Sequence, residues 1–306
     1  MDGLKYTPLE MAKIFGEPKD PRKPYTMLQT AVCETGTANP EDYVYTFDVL
    51  LDTDKVYIVT STGEVTQENV VPDSPATVTF IDVASPEYWV KLTDLASKKE
   101  DVFARKTLTI NRAMNAYENY LIVNAIAGAT QTANKFSLQS GETTFTYDSL
   151  IDMISALQDY GDKFVLIVGA TIAKDIILWD YKENKYHSLT AALGDLGVEI
   201  IRVNQTVNID GGATSVIAST KAYLVATNTE VGKPILFIRK KLNSIAMLGG
   251  VISEGGDAPE RLIITSTNPT TVLTANKRYF AVGVAGFEEV AIAVANPYAL
   301  AEFSRT

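Results

Sequence analysis

Two residue types that build most metal and redox sites are nearly missing from this sequence, which holds one cysteine, Cys33, and one histidine, His187, in 306 residues. A single cysteine closes no internal disulfide, no Cys-x-x-Cys pair offers thiolates to zinc, and one histidine removes every multi-histidine metal site. That usage fits a reducing compartment. Long apolar runs are lacking as well: 165–168 and 121–123 fall far short of the ~20 residues that cross a bilayer. The opening Met-Asp-Gly-Leu-Lys-Tyr, followed by Pro8, breaks what a signal peptide needs as an unbroken apolar core. Positive charge is in deficit, 27 Lys and Arg against 37 Asp and Glu, for a net charge of −10. Gripping phosphates relies on clustered cations that displace counterions, so this balance speaks against strong nucleic-acid binding but not against lying near DNA.

Motifs for chemistry are equally sparse. Gly169-Ala-Thr-Ile-Ala-Lys174 follows an apolar strand and precedes a helix, yet the second glycine of a phosphate loop is absent, so a plain strand-to-helix turn is expected. No GxGxxG marks a dinucleotide site, and no GxSxG elbow presents a serine to His187, which reads as a loop histidine. Cys33 sits in a proline-punctuated stretch and is expected to be exposed and incidental. Glu254 with Asp257, and Glu288 with Glu289, come nearest to an acid pair and are expected to be solvated. No calcium loop is matched at 48–55 or elsewhere. No cofactor or metal is implied.

What is present is an ordinary globular composition, 46% hydrophobic and 21% charged. The length suggests about two folding units. Residues 1–42 read as an arm, because Pro18, Pro21, Pro24 and Pro40 break regular structure while Lys19, Asp20, Arg22 and Lys23 keep it solvated. The pattern then turns to strands at 43–50, 56–60 and 76–82, with turn signals at 52–54, Thr62-Gly63 and 72–75. Too few of these positions are large enough to close a core, so a protruding hairpin is expected. The strongest helical signal spans about 99–128, where Phe103, Thr107, Ile110, Met114, Tyr117, Leu121 and Ala125 recur at spacings of four and three and Gly128 supplies a stop. About 30 residues at ~1.5 Å each make a rod of roughly 45 Å. A coiled coil is the weaker reading, since the other face carries Ile122, Val123 and Ile126, which also need cover.

An α/β unit follows over about 145–256. It contains helices at 150–157, 171–181 and 188–196, strands at 163–168, 198–203, 222–227 and 233–239, and Gly-rich stretches at Gly211-Gly212 and 249–256. The remaining residues return to strands at 261–265, 278–283 and 289–294, closed by Pro297.

This order of elements resembles the major capsid protein of tailed bacteriophages, the Hong Kong phage-type shell fold shared with encapsulins. Three stretches carry the resemblance: the helix from Glu100-Asp-Val-Phe-Ala-Arg105 to Asn119-Tyr-Leu-Ile-Val-Asn-Ala-Ile-Ala-Gly128; Phe145-Thr-Tyr-Asp-Ser-Leu-Ile-Asp-Met-Ile154 with the strands at 164–170 and 196–201; and 278–283 with the ending Glu288-Glu-Val-Ala-Ile-Ala-Val-Ala-Asn-Pro-Tyr298. The resemblance implies an α+β fold with an N-terminal arm (1–42), a peripheral-domain strand and extended β-hairpin loop (43–92), a long spine helix in the peripheral domain (93–144), a central mixed α/β axial domain (145–257), and closing strands (258–306).

It further implies a non-enzymatic structural protein whose pentamers and hexamers form an icosahedral virion shell, assembled in the host cytoplasm, around double-stranded DNA that it does not bind sequence-specifically. The partners expected are the chain itself, a portal and a separate scaffolding protein, since only about 40 residues precede the first strand; no membrane is expected. Assembly contacts are expected between Asp52 and Asp54 of the hairpin and Lys98, Lys99 and Arg105 of the spine, at Gly249, Gly250, Gly255 and Gly256 near a ring axis, and at the turn holding Asn268. Lys55 and Asn268 are the residue types that some members join by an isopeptide bond, but no motif fixes that geometry here and self-crosslinking is not expected. Other readings stay open: an encapsulin-type bacterial compartment; from another class, an α/β enzyme with an unrecognised site; and a tail-tube or adhesion protein, suggested by the β content and opposed by the long spine helix.

Overall fold

A computed structural model describes residues 27–47, 76–91, 100–183, 193–194, 196–227, 232–242, 261–265, 270–274 and 277–305. In chain order the elements are α1 (Leu28–Val32), β1 (Cys33–Ala38), β2 (Val44–Phe47), β3 (Ala76–Thr79), β4 (Ile81–Ala84), β5 (Tyr88–Lys91), the spine helix α2 (Glu100–Ala129), β6 (Lys135–Ser137), α3 (Tyr147–Leu157), β7 (Phe164–Val168), α4 (Ala170–Glu183), β8 (Val198–Arg202), β9 (Thr206–Ile209), β10 (Gly212–Ser215), β11 (Lys221–Ala226), β12 (Ile235–Lys240), β13 (Arg261–Thr265), β14 (Thr270–Thr274), β15 (Lys277–Val294) and β16 (Leu300–Ser304).

One sheet is organised around β15. The sequence reading has two short strands at 278–283 and 289–294; they are one strand of 18 residues. Val290 pairs with both Ile81 and Arg239, and Val284 with both Tyr88 and Thr265, so β4 and β5 line one edge while β12, β13 and β14 line the other. The register changes between Ala84, opposite Phe287, and Tyr88, opposite Val284. Three residues there face two, a β-bulge, and Ser85 bridges it: its N–H donates to the Gly286 carbonyl and its Oγ accepts from the Gly286 N–H, both at 2.8 Å.

The second sheet has five strands in the order β6-β16-β11-β7-β8. Strand β7 is buried throughout, and alternation sends its side chains to two different cores. Phe164, Leu166 and Val168 join Leu150, Met153 and Leu157 of α3 and Ile172 and Ile176 of α4. Val165 and Ile167 face the other way, onto Ile122, Val123 and Ile126 of the spine.

The spine helix therefore serves both sheets. Its earlier part crosses β15 at Gly286, where an added Cβ would collide with Ile110 Cγ2 and lie 2.8 Å from Met114 Sδ. Only glycine permits that approach. Beyond Met114 the buried face rotates away from the expected stripe. Tyr117, Leu121 and Ala125 are only partly covered, whereas Ile122, Val123 and Ile126 are fully buried because the five-stranded sheet covers that side. The helix also runs one residue past Gly128.

Three further differences from the sequence reading concern boundaries. The arm expected over 1–42 is structured from residue 28 onward: Leu28 and Val32 are buried, and β1 pairs parallel with β12. Strand β12, read as part of the α/β unit, belongs to the β15 sheet. Strand β16 falls beyond the expected stop at Pro297, because Asn296 caps a single 3-10 turn through Tyr298 N–H and Ala299 N–H and the chain re-enters the other sheet.

Buried polar ties lock these parts together. Glu118, fully buried on the spine, accepts from Arg239 Nη2 at 2.6 Å, and the same nitrogen donates to Gln29 at 3.0 Å. Asn119 accepts from the Leu28 N–H at 3.0 Å and donates to Gln205 at 2.9 Å. Asp175 on α4 takes both the Phe145 N–H and a two-oxygen contact from Arg305 Nη1 at 3.0 and 3.2 Å.

Two outcomes follow for denaturant unfolding of the isolated chain. Gly286→Ala should lower stability by about 1–3 kcal/mol, as overpacking of a tight core does, with the midpoint shift as the readout. Arg305→Met should cost about 2–4 kcal/mol, since it strands the buried Asp175 carboxylate, and adding Asp175→Asn to it should restore part of that loss.

Candidate interaction surface

Most of the positions expected to mediate assembly lie outside the described residues: Asp52, Asp54, Lys55, Lys98, Lys99, Gly249, Gly250, Gly255, Gly256 and Asn268, together with His187, Glu254 and Asp257. Arg105 lies on the spine helix, where the backbone alone is described. No pairing among them is therefore observed.

The other candidates have clear places. At the Gly169 turn the free amides of the helix start are already used, because Thr171 N–H and Ile172 N–H donate to the Ser219 carbonyl at 3.0 and 3.3 Å. A Cβ on Gly169 would collide with the Ala218 carbonyl, so the glycine serves close packing and not phosphate binding. Glu288 and Glu289 are neighbours on one strand and point to opposite faces. Contrary to expectation Glu288 is fully buried, on the face that carries Gly286 and Val290, while Glu289 pairs with Lys240 at 2.8 Å. Cys33 is also buried rather than exposed, and desolvation pushes its thiol far above the ordinary range, against the smaller opposing pull of Lys233. It is held protonated and unreactive.

Among the described residues no group of three His, Cys, Asp or Glu side chains converges as a metal site, and no described helix is long and apolar enough to cross a membrane. The surface instead presents two features suited to contact. The first is the root of the β2–β3 ribbon. Tyr45 and Val78 face inward onto Ile238 and Ala291, which leaves Val44, Thr46, Thr77 and Thr79 as an outward face without charge. Beside it Tyr43 is 86% exposed, with Lys240 Nζ 5.6 Å from its ring centroid and 5.5 Å from that of Phe80. Ile81 and Trp89 add exposed apolar area along β4 and β5.

The second is a groove of about 710 Å³. Its floor is one face of the spine, Thr109, Arg112, Ala113 and Ala116, at helical spacings of three, four and seven. One wall is 82–86 with Tyr88; the other is 206–211, the β9 strand and its turn. That turn is Asp210-Gly211, with φ of 50° and 86°, the positive values a tight two-residue hairpin requires. Tyr117, also lining the groove, has its phenol raised above its ordinary pKa by burial, then by Tyr120 and the Asp210 carboxylate. The Asp-Gly pair was the available sequence signal for this hairpin; read only as a glycine-rich stretch, it left the groove unforeseen.

No family model matches the sequence, and no curated protein does. Solved structures match the fold along nearly its whole length. The capsid of an empty GTA particle superposes with a TM-score of 0.59 at 10% identity, covering 97% of this chain and 97% of that one. The capsid of the cyanophage P-SCSP1u gives 0.55 at 12% identity over 97% and 94%. An encapsulin complex from Synechococcus elongatus gives 0.51 at 14% identity over 98% and 96%. The chain thus has the α+β fold found in tailed-phage capsids and in encapsulins.

The burial of Cys33 gives a direct check on the closed position of α1 and β1. Maleimide labelling of the native chain at neutral pH should run about a hundredfold or more below that of a free thiol, at a rate set by local opening, and Leu28→Ala should speed it.

Proposed function

We propose that this chain is a structural shell subunit, copies of which close into an icosahedral container. The observation that carries the reading is the breadth of the match: 97% of this chain superposes on 97% of a capsid subunit, and comparable shares match other shells. Rings of five and six copies are the assembly units in this reading, and the chain works by covering surface rather than by catalysis. The expected contacts at Asp52, Asp54, Lys55, Lys98, Lys99, Arg105, Gly249, Gly250, Gly255, Gly256 and Asn268 stand as part of the proposal, with the stretch between β2 and β3 reaching an adjacent copy.

The content proposed is double-stranded DNA in a virion assembled in the host cytoplasm, with a separate scaffolding protein and a portal as helpers. Acidity suits that role. A container for packed DNA must not adhere to it, and a charge of −10 per copy repels phosphates at short range. A bacterial nanocompartment enclosing a protein cargo is the second reading, favoured by the match to the encapsulin over 98% of this chain.

Electron microscopy of the chain expressed in bacteria, alone and with scaffold candidates, should reveal uniform closed particles or rings. A compact monomer under every condition would overturn the shell reading. Nuclease-protected DNA or scaffold inside the particles supports the virion, and a co-purifying enzyme supports the nanocompartment.

A further inference from the structure

The lining of the groove sets what can fill it. Two half-buried rings, Tyr88 and Tyr117, and the exposed Pro86 give it an aromatic and apolar surface. Its charged residues are Asp82 on one wall, Asp210 on the other and Arg112 on the floor, and both acids are exposed. Aromatic rings flanked by carboxylates suit a proline-rich segment in the polyproline II conformation. The rings receive prolines, the acids receive cations, and such a segment has no internal hydrogen bonds to give up.

We propose that the groove is filled by the chain's own Pro18-Lys-Asp-Pro-Arg-Lys-Pro24, lying across the spine as a polyproline II segment. The proposal goes beyond the shell reading and does not depend on it. Four observations select this occupant. The first is spacing: Pro18, Pro21 and Pro24 recur every third residue, and polyproline II has three residues per turn, so the prolines form one ridge to meet Tyr88 and Tyr117. The second is charge. The segment carries Lys19, Arg22 and Lys23 with one acid, Asp20, and the groove carries the reverse pattern, two acids with one cation. Asp82 and Asp210 draw the basic side chains to the walls, while Arg112 repels them from the floor and attracts Asp20 there. The other P-x-x-P of the sequence, Pro72-Asp-Ser-Pro75, holds an acid and no cation, the wrong sign for both walls. The third observation is where the segment enters. Met27 is extended, with φ −83° and ψ 113°, and the Leu28 N–H donates to Asn119 Oδ1, whose Nδ2 donates in turn to Gln205. Gln205 immediately precedes Thr206, the first residue of the β9 wall. The chain therefore joins α1 beside the groove, and Tyr25 and Thr26 are all that separate Pro24 from Met27. The fourth is length, since residues 18–24 span about 22 Å at ~3.1 Å each and the wall of 206–211 about 20 Å at ~3.3 Å each. Seated there, the segment makes the root of the arm part of its own subunit, and only residues before Pro18 are left to reach beyond it.

Carbodiimide coupling of the unmodified full-length chain tests this, because the reagent joins a lysine amine to a carboxylate only where the two already touch. Unlabelled and 15N-labelled chains are mixed before coupling, and the linked peptides are read by mass spectrometry, so that links within one chain and links between chains are distinguished. Asp148 and Asp159, exposed acids at the two ends of α3, serve as controls. The expected result is links from Lys19 or Lys23 to Asp82 or Asp210, within one chain, at about tenfold or more the level of links to the controls, since a seated segment holds its amines at high effective concentration. Replacing the prolines together, Pro18→Ala, Pro21→Ala and Pro24→Ala, keeps every charge and should lower those links about threefold or more by removing the preformed helix. Links to Asp82 and Asp210 at the control level overturn the proposal. Links that join only chains of different label overturn the assignment to the chain's own segment. Links undiminished in the alanine variant overturn polyproline recognition and leave charge attraction alone. Each of these results leaves the shell reading intact, because particle formation is scored separately.

Discussion

Everything in this molecule depends on one helix being packed by two sheets at once. The spine meets β15 through Ile110 and Met114 and meets the five-stranded sheet through Ile122, Val123 and Ile126. A helix of this length offers too little apolar surface on one stripe to satisfy both, so the buried face turns partway along it. Gly286 sets how closely the first sheet approaches, and the alternating side chains of β7 set how the second sheet divides its cores. Neither sheet can shift along the spine without breaking one of those fits.

The polar ties act on the same junction and give it direction. Apolar packing alone tolerates sliding, whereas Glu118 with Arg239 and Gln29, and Asn119 with Leu28 and Gln205, require one register between the spine, β12, α1 and the connection leading into β9. Buried charges of this sort add little net stability and act mainly against alternative arrangements. Here the excluded alternatives are neighbouring registers of the spine on the sheet. A fold held to one register presents one outer surface rather than a family of slightly shifted ones.

Much of this was legible in the sequence, for a physical reason in each case. The spine helix, α3 and α4 emerge almost at their true limits because apolar residues recur along each at helical spacing, and β7 because it is an unbroken apolar run between polar turns. What escaped depended on partners far along the chain. Cys33 looks exposed among prolines and polar residues, and only β12, some two hundred residues later, buries it. The rotation of the spine stripe has the same origin, since Glu118 and Asn119, polar side chains that no local pattern marks as buried, are covered and paired by Arg239 and Gln205 from far along the chain. Strand β16 hides behind Pro297, where a single capped turn redirects the chain instead of ending the β-structure. As for the surface, the groove was missed because its floor and two walls come from three separated stretches, and no local pattern announces that they meet.

The place of β16 has a consequence for how the subunit is made. It lies inside the five-stranded sheet, between β6 and β11, and is contributed by residues 300–304, after every other strand of that sheet has been synthesised. A nascent chain can form its spine and outer helices early but cannot close this sheet on the ribosome until the last of its strands emerges, so the unfinished sheet presents two open edges in the meantime. Any product interrupted before residue 300 lacks an inner strand rather than a peripheral one. Such a fragment leaves the edges of β6 and β11 unpaired and uncovers the apolar residues that Leu300 and Phe303 pack against, the kind of surface on which proteolysis and aggregation act.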